Sequence, residues 1–232
     1  MGKETSRRIQ TSILNSAEKK VLIWLARRQP RWMTSDALTY LGVFGSLLFV
    51  VGGVLSNRCV EWLWLSSFGL FIHWYGDSLD GTLARVRNTQ RPVYGFFIDH
   101  TLDAITTFFI FLGAGLSPVL RMDVSLLGLA GYLCLAIYTY VCTILKGEFR
   151  LTYAAFGPTE FRLLLILINT VFIYAPWAKL RFDVGGGIVL GTFDFVGLGV
   201  AAILFLIFLV QFLRDKRELG AQDPLRPFDG GE

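Results

Sequence analysis

Four aspartates lie within residues 77–103: Asp77, Asp80, Asp99 and Asp103. The first two are three residues apart and the last two are four apart, so on helices each pair occupies one face. The segment between them is short, which makes the two helices antiparallel neighbours and turns the pairs toward each other. Four carboxylates this close do not all stay ionised without compensating charge. Divalent cations supply it, and ligands that offer only oxygen favour Mg²⁺, Mn²⁺ or Ca²⁺ over zinc. Gly81 and Gly95 permit close approach of a ligand or a second backbone. Ala84 is small, and Arg85 carries a guanidinium suited to a two-point grip on phosphate. Together these residues describe a site for a pyrophosphate-containing substrate. Two metals there would stabilise both the attacking and the leaving oxygen at phosphorus.

The elements that must position these residues belong in a membrane. Hydrophobic residues make up 53% of the 232 and charged residues 17%, with a mean hydropathy of +0.53. A soluble domain carries about 25% charge. The composition excludes a disordered chain, a basic nucleic-acid-binding arm and a secreted disulfide miniprotein. Cys59, Cys134 and Cys142 show no CxxC spacing and read as buried thiols. Charge is absent from six blocks, 37–55, 62–76, 104–120, 124–145, 163–178 and 195–213. They predict an all-α integral membrane protein with six transmembrane helices, in which the second runs into Asp77 and the third follows Asp99 and Asp103. Of the 22 Lys and Arg residues, all but Arg58, Arg121, Lys179 and Arg181 fall on one side of this topology. That side, with both termini, is expected to face the cytoplasm.

The first 30 residues mix charge with Ile9, Ile13, Leu14, Val21, Leu22 and Leu25 at helical spacing. This pattern predicts an N-terminal amphipathic interfacial helix rather than a signal peptide. Pro30 ends it, and Thr34 or Ser35 caps the next helix. The chain therefore divides into a juxtamembrane segment (1–32), a six-helix unit (33–214) and a polar, frayed tail (215–232). Gly185-Gly186-Gly187 marks a turn on the far side. Asp36 and Asp194, near helix starts, read as caps, and His73 reads as a packing residue of the second span. His100, beside Asp99, is a functional candidate. A transporter with an intramembrane acidic site is the competing class, but the chain lacks paired repeats and broken mid-membrane helices.

The run Asp77-Ser-Leu-Asp80-Gly81-Thr-Leu-Ala84-Arg85, followed by Gly95-Phe-Phe-Ile-Asp99-His100-Thr-Leu-Asp103, resembles the signature of the CDP-alcohol phosphotransferase family. That signature reads D-x2-D-G-x2-A-R, a gap, then G-x3-D-x3-D. Every defined position matches, and the gap, 86–94, is one residue longer than the commonest form. Thr34-Ser35-Asp36 stands where the family often has a Pro-Asn pair at the entry to the first span.

The resemblance implies transfer of a substituted phosphoryl group from a CDP-alcohol to an acceptor hydroxyl, with release of CMP, in phospholipid synthesis. It assigns Asp77, Asp80 and Asp99 to two Mg²⁺ or Mn²⁺ ions, with Asp103 completing the cluster and acting as general base. Gly81, Ala84 and Arg85 would contact the CDP moiety, and Gly95 would allow tight helix packing. One branch of the family takes CDP-diacylglycerol, and the short six-helix length points there. The other takes CDP-choline or CDP-ethanolamine, and its Asp-His dipeptide is matched by Asp99-His100, with the histidine as base. Acceptor binding is expected from Glu148, Arg150, Glu160 and Arg162 in the other charged loop. The resemblance further implies a homodimer in a bacterial-type inner membrane, with lipid partners and no nucleic acid.

Overall fold

The structure is a computed structural model that describes residues 7–9, 15–146, 148–150 and 157–224, with side chains described at 18–146 and 157–224. Seven α-helices are found among these residues. They are α1 (Asn15–Arg28), α2 (Ser35–Leu55), α3 (Leu63–Val86), α4 (Pro92–Leu116), α5 (Met122–Lys146), α6 (Pro158–Tyr174) and α7 (Thr192–Gln222). Short strands β1 (Arg7–Ile9) and β2 (Glu148–Arg150) pair in parallel, and β3 (Arg181–Asp183) and β4 (Val189–Gly191) form a hairpin. Gly185, Gly186 and Gly187 turn that hairpin, all at positive φ, where a side chain would be strained.

Four helices, α2, α4, α5 and α7, are long and apolar enough to cross a membrane. The two other expected spans depart from that standard for physical reasons. Helix α3 is 24 residues long but carries Asp77, Asp80 and Arg85 in its second half. Helix α6 has 17 residues, a rise of about 26 Å that only just meets a bilayer core.

The closest packing is between α2 and α3. A Cβ at Gly45 would overlap the backbone at Gly69 and His73, and one at Gly52 would overlap Ser66. Gly69 and Gly76 meet α2 in the same way. Without side chains at these points the two backbones touch, as helices do in lipid where small residues replace hydrophobic drive. This contact sets the depth and rotation of α3, and with them the positions of His73, Asp77 and Asp80.

Helix α1 exists, and part of its apolar face is covered by protein. Leu22 and Ala26 are buried against Leu38, Leu79 and Leu83, while Val21 and Trp24 stay exposed. Glu18 ties it further, accepting from Trp74 Nε1 at 2.8 Å and from Thr159 Oγ1 at 2.7 Å. The Arg87 guanidinium, at the end of α3, donates to the carbonyls of Gln29, Pro30 and Met33 and fixes the turn into α2. Thr34 caps α2 through Ala37 N–H at 3.1 Å. Asp36 instead accepts from the Arg91 guanidinium, outside the spans, and the bond raises the arginine pKa further.

Two expectations are corrected here. The chain does not fray at Asp215: α7 continues to Gln222, and Lys146 pairs with Asp215 at 3.1 Å and with Glu218 at 2.9 Å. Residues 225–232 lie outside the described residues. Cys59 is exposed rather than buried, because it sits in the loop ahead of α3 and donates to Glu61 at 2.6 Å.

Candidate active site

Helices α3 and α4 are joined by a short connection, but they are not the close neighbours expected from the sequence: each packs against α2, which lies between them. Asp77 from α3 and Asp99 and Asp103 from α4 are brought together, with one oxygen from each within 4.8 Å of the others. The three carboxylates border a cavity of about 10 Å³ whose wall also includes Thr39, Gly42, His73 and Thr106. That is room for about one water-sized sphere. The close α2–α3 packing shapes this wall: a Cβ at Gly42 would lie 3.3 Å from Asp77 N and 3.5 Å from His73 O.

The nearest counter-charge comes from α6. Arg162 is 7% exposed and forms an ion pair with Asp77. Three carboxylates this close favour positive charge beside them, and Arg162 pairs with one of them. Hard oxygen donors converging from two helices fit a divalent cation such as Mg²⁺ or Mn²⁺.

Asp80 stands outside this group. It is 9% exposed, and its oxygens accept from Thr39 Oγ1 at 2.6 Å and from Gly81 N–H. Its carboxylate is therefore held on the α2 side of α3, one turn nearer the helix end. Arg85 folds back along α3, donating to Thr82 Oγ1 at 3.0 Å and lying over Gly81. Ala84 is half-buried on the same helix. The expected packing role of Gly95 is not met, since a Cβ there would meet nothing within 4 Å. The first turn of α4 is exposed, and the tight approach lies on α2 and α3 instead.

His100 sits on α4 beside the cavity. Its Nδ1 lies 2.9 Å from Phe96 O and 3.7 Å from Asp99 Oδ2, and its ring stacks on Phe96 at 4.0 Å. A carbonyl only accepts, so Nδ1 carries the hydrogen and in the neutral ring Nε2 is the proton acceptor.

Of the four residues expected to bind the acceptor, the two whose side chains are described are engaged elsewhere. Arg162 points into the carboxylate group rather than to the mouth. Glu160 accepts from Gly157 N–H at 3.0 Å and so caps the start of α6. The side chains of Glu148 and Arg150 lie outside the described residues. Sequence reasoning missed the pairing of Arg162 with Asp77, a contact between residues 85 positions apart. It also missed the isolation of His73 described below.

A helical membrane protein that gathers carboxylates and an arginine at one end of its spans is the class defined by this fold and site. The profile of the CDP-alcohol phosphatidyltransferase family matches residues 32–208, and the chain belongs to that family. Among curated proteins it is similar to Cholinephosphotransferase 1 of Gallus gallus, 28% identical over 190 residues, or 73% of this chain and 55% of the relative. It is also similar to Cholinephosphotransferase 1 of Danio rerio, 25% identical over 187 residues, or 75% of this chain and 47% of the relative. The human protein of that name is 27% identical over 159 residues, 62% of this chain and 37% of its own length. The chain thus spans about half the length of the first two relatives, and less of the third.

Proposed function

We propose that the protein transfers phosphocholine or phosphoethanolamine from its CDP derivative to the hydroxyl of a diacylglycerol, releasing CMP. The Asp99-His100 pair carries this reading. It places an imidazole with a fixed tautomer beside the carboxylate group, and the curated relatives reported above are cholinephosphotransferases.

In the proposed reaction the acceptor oxygen attacks the phosphorus that bears the amino alcohol. The bond from that phosphorus to the bridging oxygen breaks, and the electron pair leaves with CMP. Asp77, Asp80, Asp99 and Asp103 would hold divalent cations, which supply the positive charge that pyrophosphate and the departing phosphate need. Arg85 swings from Thr82 to grip a phosphate, and Gly81 and Ala84 leave room for the nucleotide. His100 Nε2 takes the acceptor proton, while Nδ1–H stays on Phe96 O and fixes the ring. Asp103, which lines the cavity beside Asp99, orients the acceptor hydroxyl. Arg162 pairs with Asp77 and holds it in place. In this reading α3 and α6 complete six crossings, and α1 lies along the cytoplasmic interface.

The donor is tested by incubating purified protein in vesicles with CDP-choline, CDP-ethanolamine or CDP-diacylglycerol and a matched acceptor, and measuring CMP. The expected result is CMP from the amino-alcohol donors with diacylglycerol. CMP from CDP-diacylglycerol with a polar alcohol, and none from the others, would move the protein to the other branch.

A further inference from the structure

His73 lies one turn deeper than Asp77 on the same face of α3, the arrangement that makes residues four apart neighbours. It is 3% exposed and borders the cavity lined by Asp77, Asp99 and Asp103. Among the described residues, Nδ1 and Nε2 of His73 are the buried side-chain nitrogen or oxygen atoms with no hydrogen-bond partner on the chain. Each such orphan costs about 1–3 kcal/mol, and an apolar residue of similar size would avoid it. Gly45 and Gly42 of α2 close on the backbone of His73 and so fix where its ring sits.

The ring therefore borders a space shared with three carboxylates and with Thr39 and Thr106. The carboxylates disfavour an anion there, and the cavity has room for about one water-sized sphere. The nitrogens are not among the ligand atoms grouped within 4.8 Å, so direct coordination together with all three carboxylates is not their role. We propose that His73 is a positioning residue for the metal site. Its ring hydrogen-bonds a water in the shell of the divalent cation held by Asp77, Asp99 and Asp103, at the membrane-side floor of the pocket. A small hard cation keeps several waters and needs partners for them, and such outer partners typically tune affinity 10- to 100-fold.

This inference rests on the metal site of the proposed function, and the test separates the two. Mn²⁺ bound to the intact protein in nanodiscs is read by electron spin-echo modulation with ¹⁵N-labelled histidine. The chain has two histidines, so the His100→Phe variant isolates His73. The expected result is a histidine nitrogen signal that survives in that variant. Mn²⁺ bound with no histidine signal overturns the role of His73 alone, and no bound Mn²⁺ removes the metal site and the inference with it. In a second measurement, Mn²⁺ affinity falls about 10-fold in His73→Leu but is largely kept in His73→Gln, which retains hydrogen bonding. The metal-free melting temperature of His73→Leu is expected to be unchanged or higher. Equal Mn²⁺ affinity in wild type and a folded His73→Leu would contradict the proposal.

Discussion

Two ends of the bundle bury carboxylates in opposite ways. On the far side, Asp194 is 1% exposed and accepts from Gly191 N–H at 2.6 Å and Arg121 N–H at 2.7 Å. Backbone donors are rigid and always present, so this acid is satisfied by the fold itself and does a cap's work at the start of α7. At the other end, Asp77, Asp99 and Asp103 face one another with Arg162 as the nearest counter-charge. The fold satisfies Asp194 with backbone donors, whereas at the other end three carboxylates share one space beside Arg162; we propose that this second arrangement serves a ligand.

The comparison breaks first at Asp99. Asp99→Asn is expected to lower CMP release by about 10³-fold or more, because several kcal/mol of charge stabilisation go with the ligand. Its metal-free melting temperature should stay level or rise as like-charge repulsion falls. A melting temperature that drops with activity would make Asp99 a structural acid like Asp194.

His100→Phe keeps the stack on Phe96 and removes the proton acceptor. A loss of about 10²-fold in kcat with little change in stability is expected. A change of only a few-fold would hand the base role to Asp103.

Asp194→Ala should show the reverse signature. Leaving Gly191 and Arg121 N–H groups without an acceptor costs about 2–3 kcal/mol, seen as a melting temperature lower by several degrees. Turnover per folded molecule should be unchanged.

The smallest effect is expected at Asp80, which lies between the two cases because it is partly satisfied by Thr39. Thr39→Val removes one hydrogen bond of about 1 kcal/mol. If Asp80 serves the metal site, its activity loss should exceed the loss of stability.

Helical spacing puts Asp99 and Asp103 on one face of α4 without further information, but it does not reveal that Asp80, three residues from Asp77, turns to Thr39 of α2 instead. The sequence discloses Asp194 and Thr34 as caps for a similarly local reason. Arg162 is not legible in its actual role, since nothing local says that α6 packs where Asp77 lies. Glu160 is legible in principle, as Gly157-Pro158-Thr159-Glu160 is a helix start, and its carboxylate serves that start. The pattern of α1 suits lipid and protein equally, and only the burial of Leu22 and Ala26 shows that α3 takes part of it. His73 reads as packing because its isolation depends on which neighbours are missing, a property that exists only in three dimensions.

We infer that the three facing carboxylates serve catalysis through divalent cations, while Asp194 serves the fold. CMP release from CDP-choline or CDP-ethanolamine with diacylglycerol, with and without EDTA, in wild type, Asp99→Asn and Asp194→Ala separates the two roles. Release is expected to be abolished by EDTA and restored by Mg²⁺ or Mn²⁺, lost in Asp99→Asn and kept in Asp194→Ala. Release that persists undiminished in EDTA, or in Asp99→Asn, would contradict the role of the carboxylates.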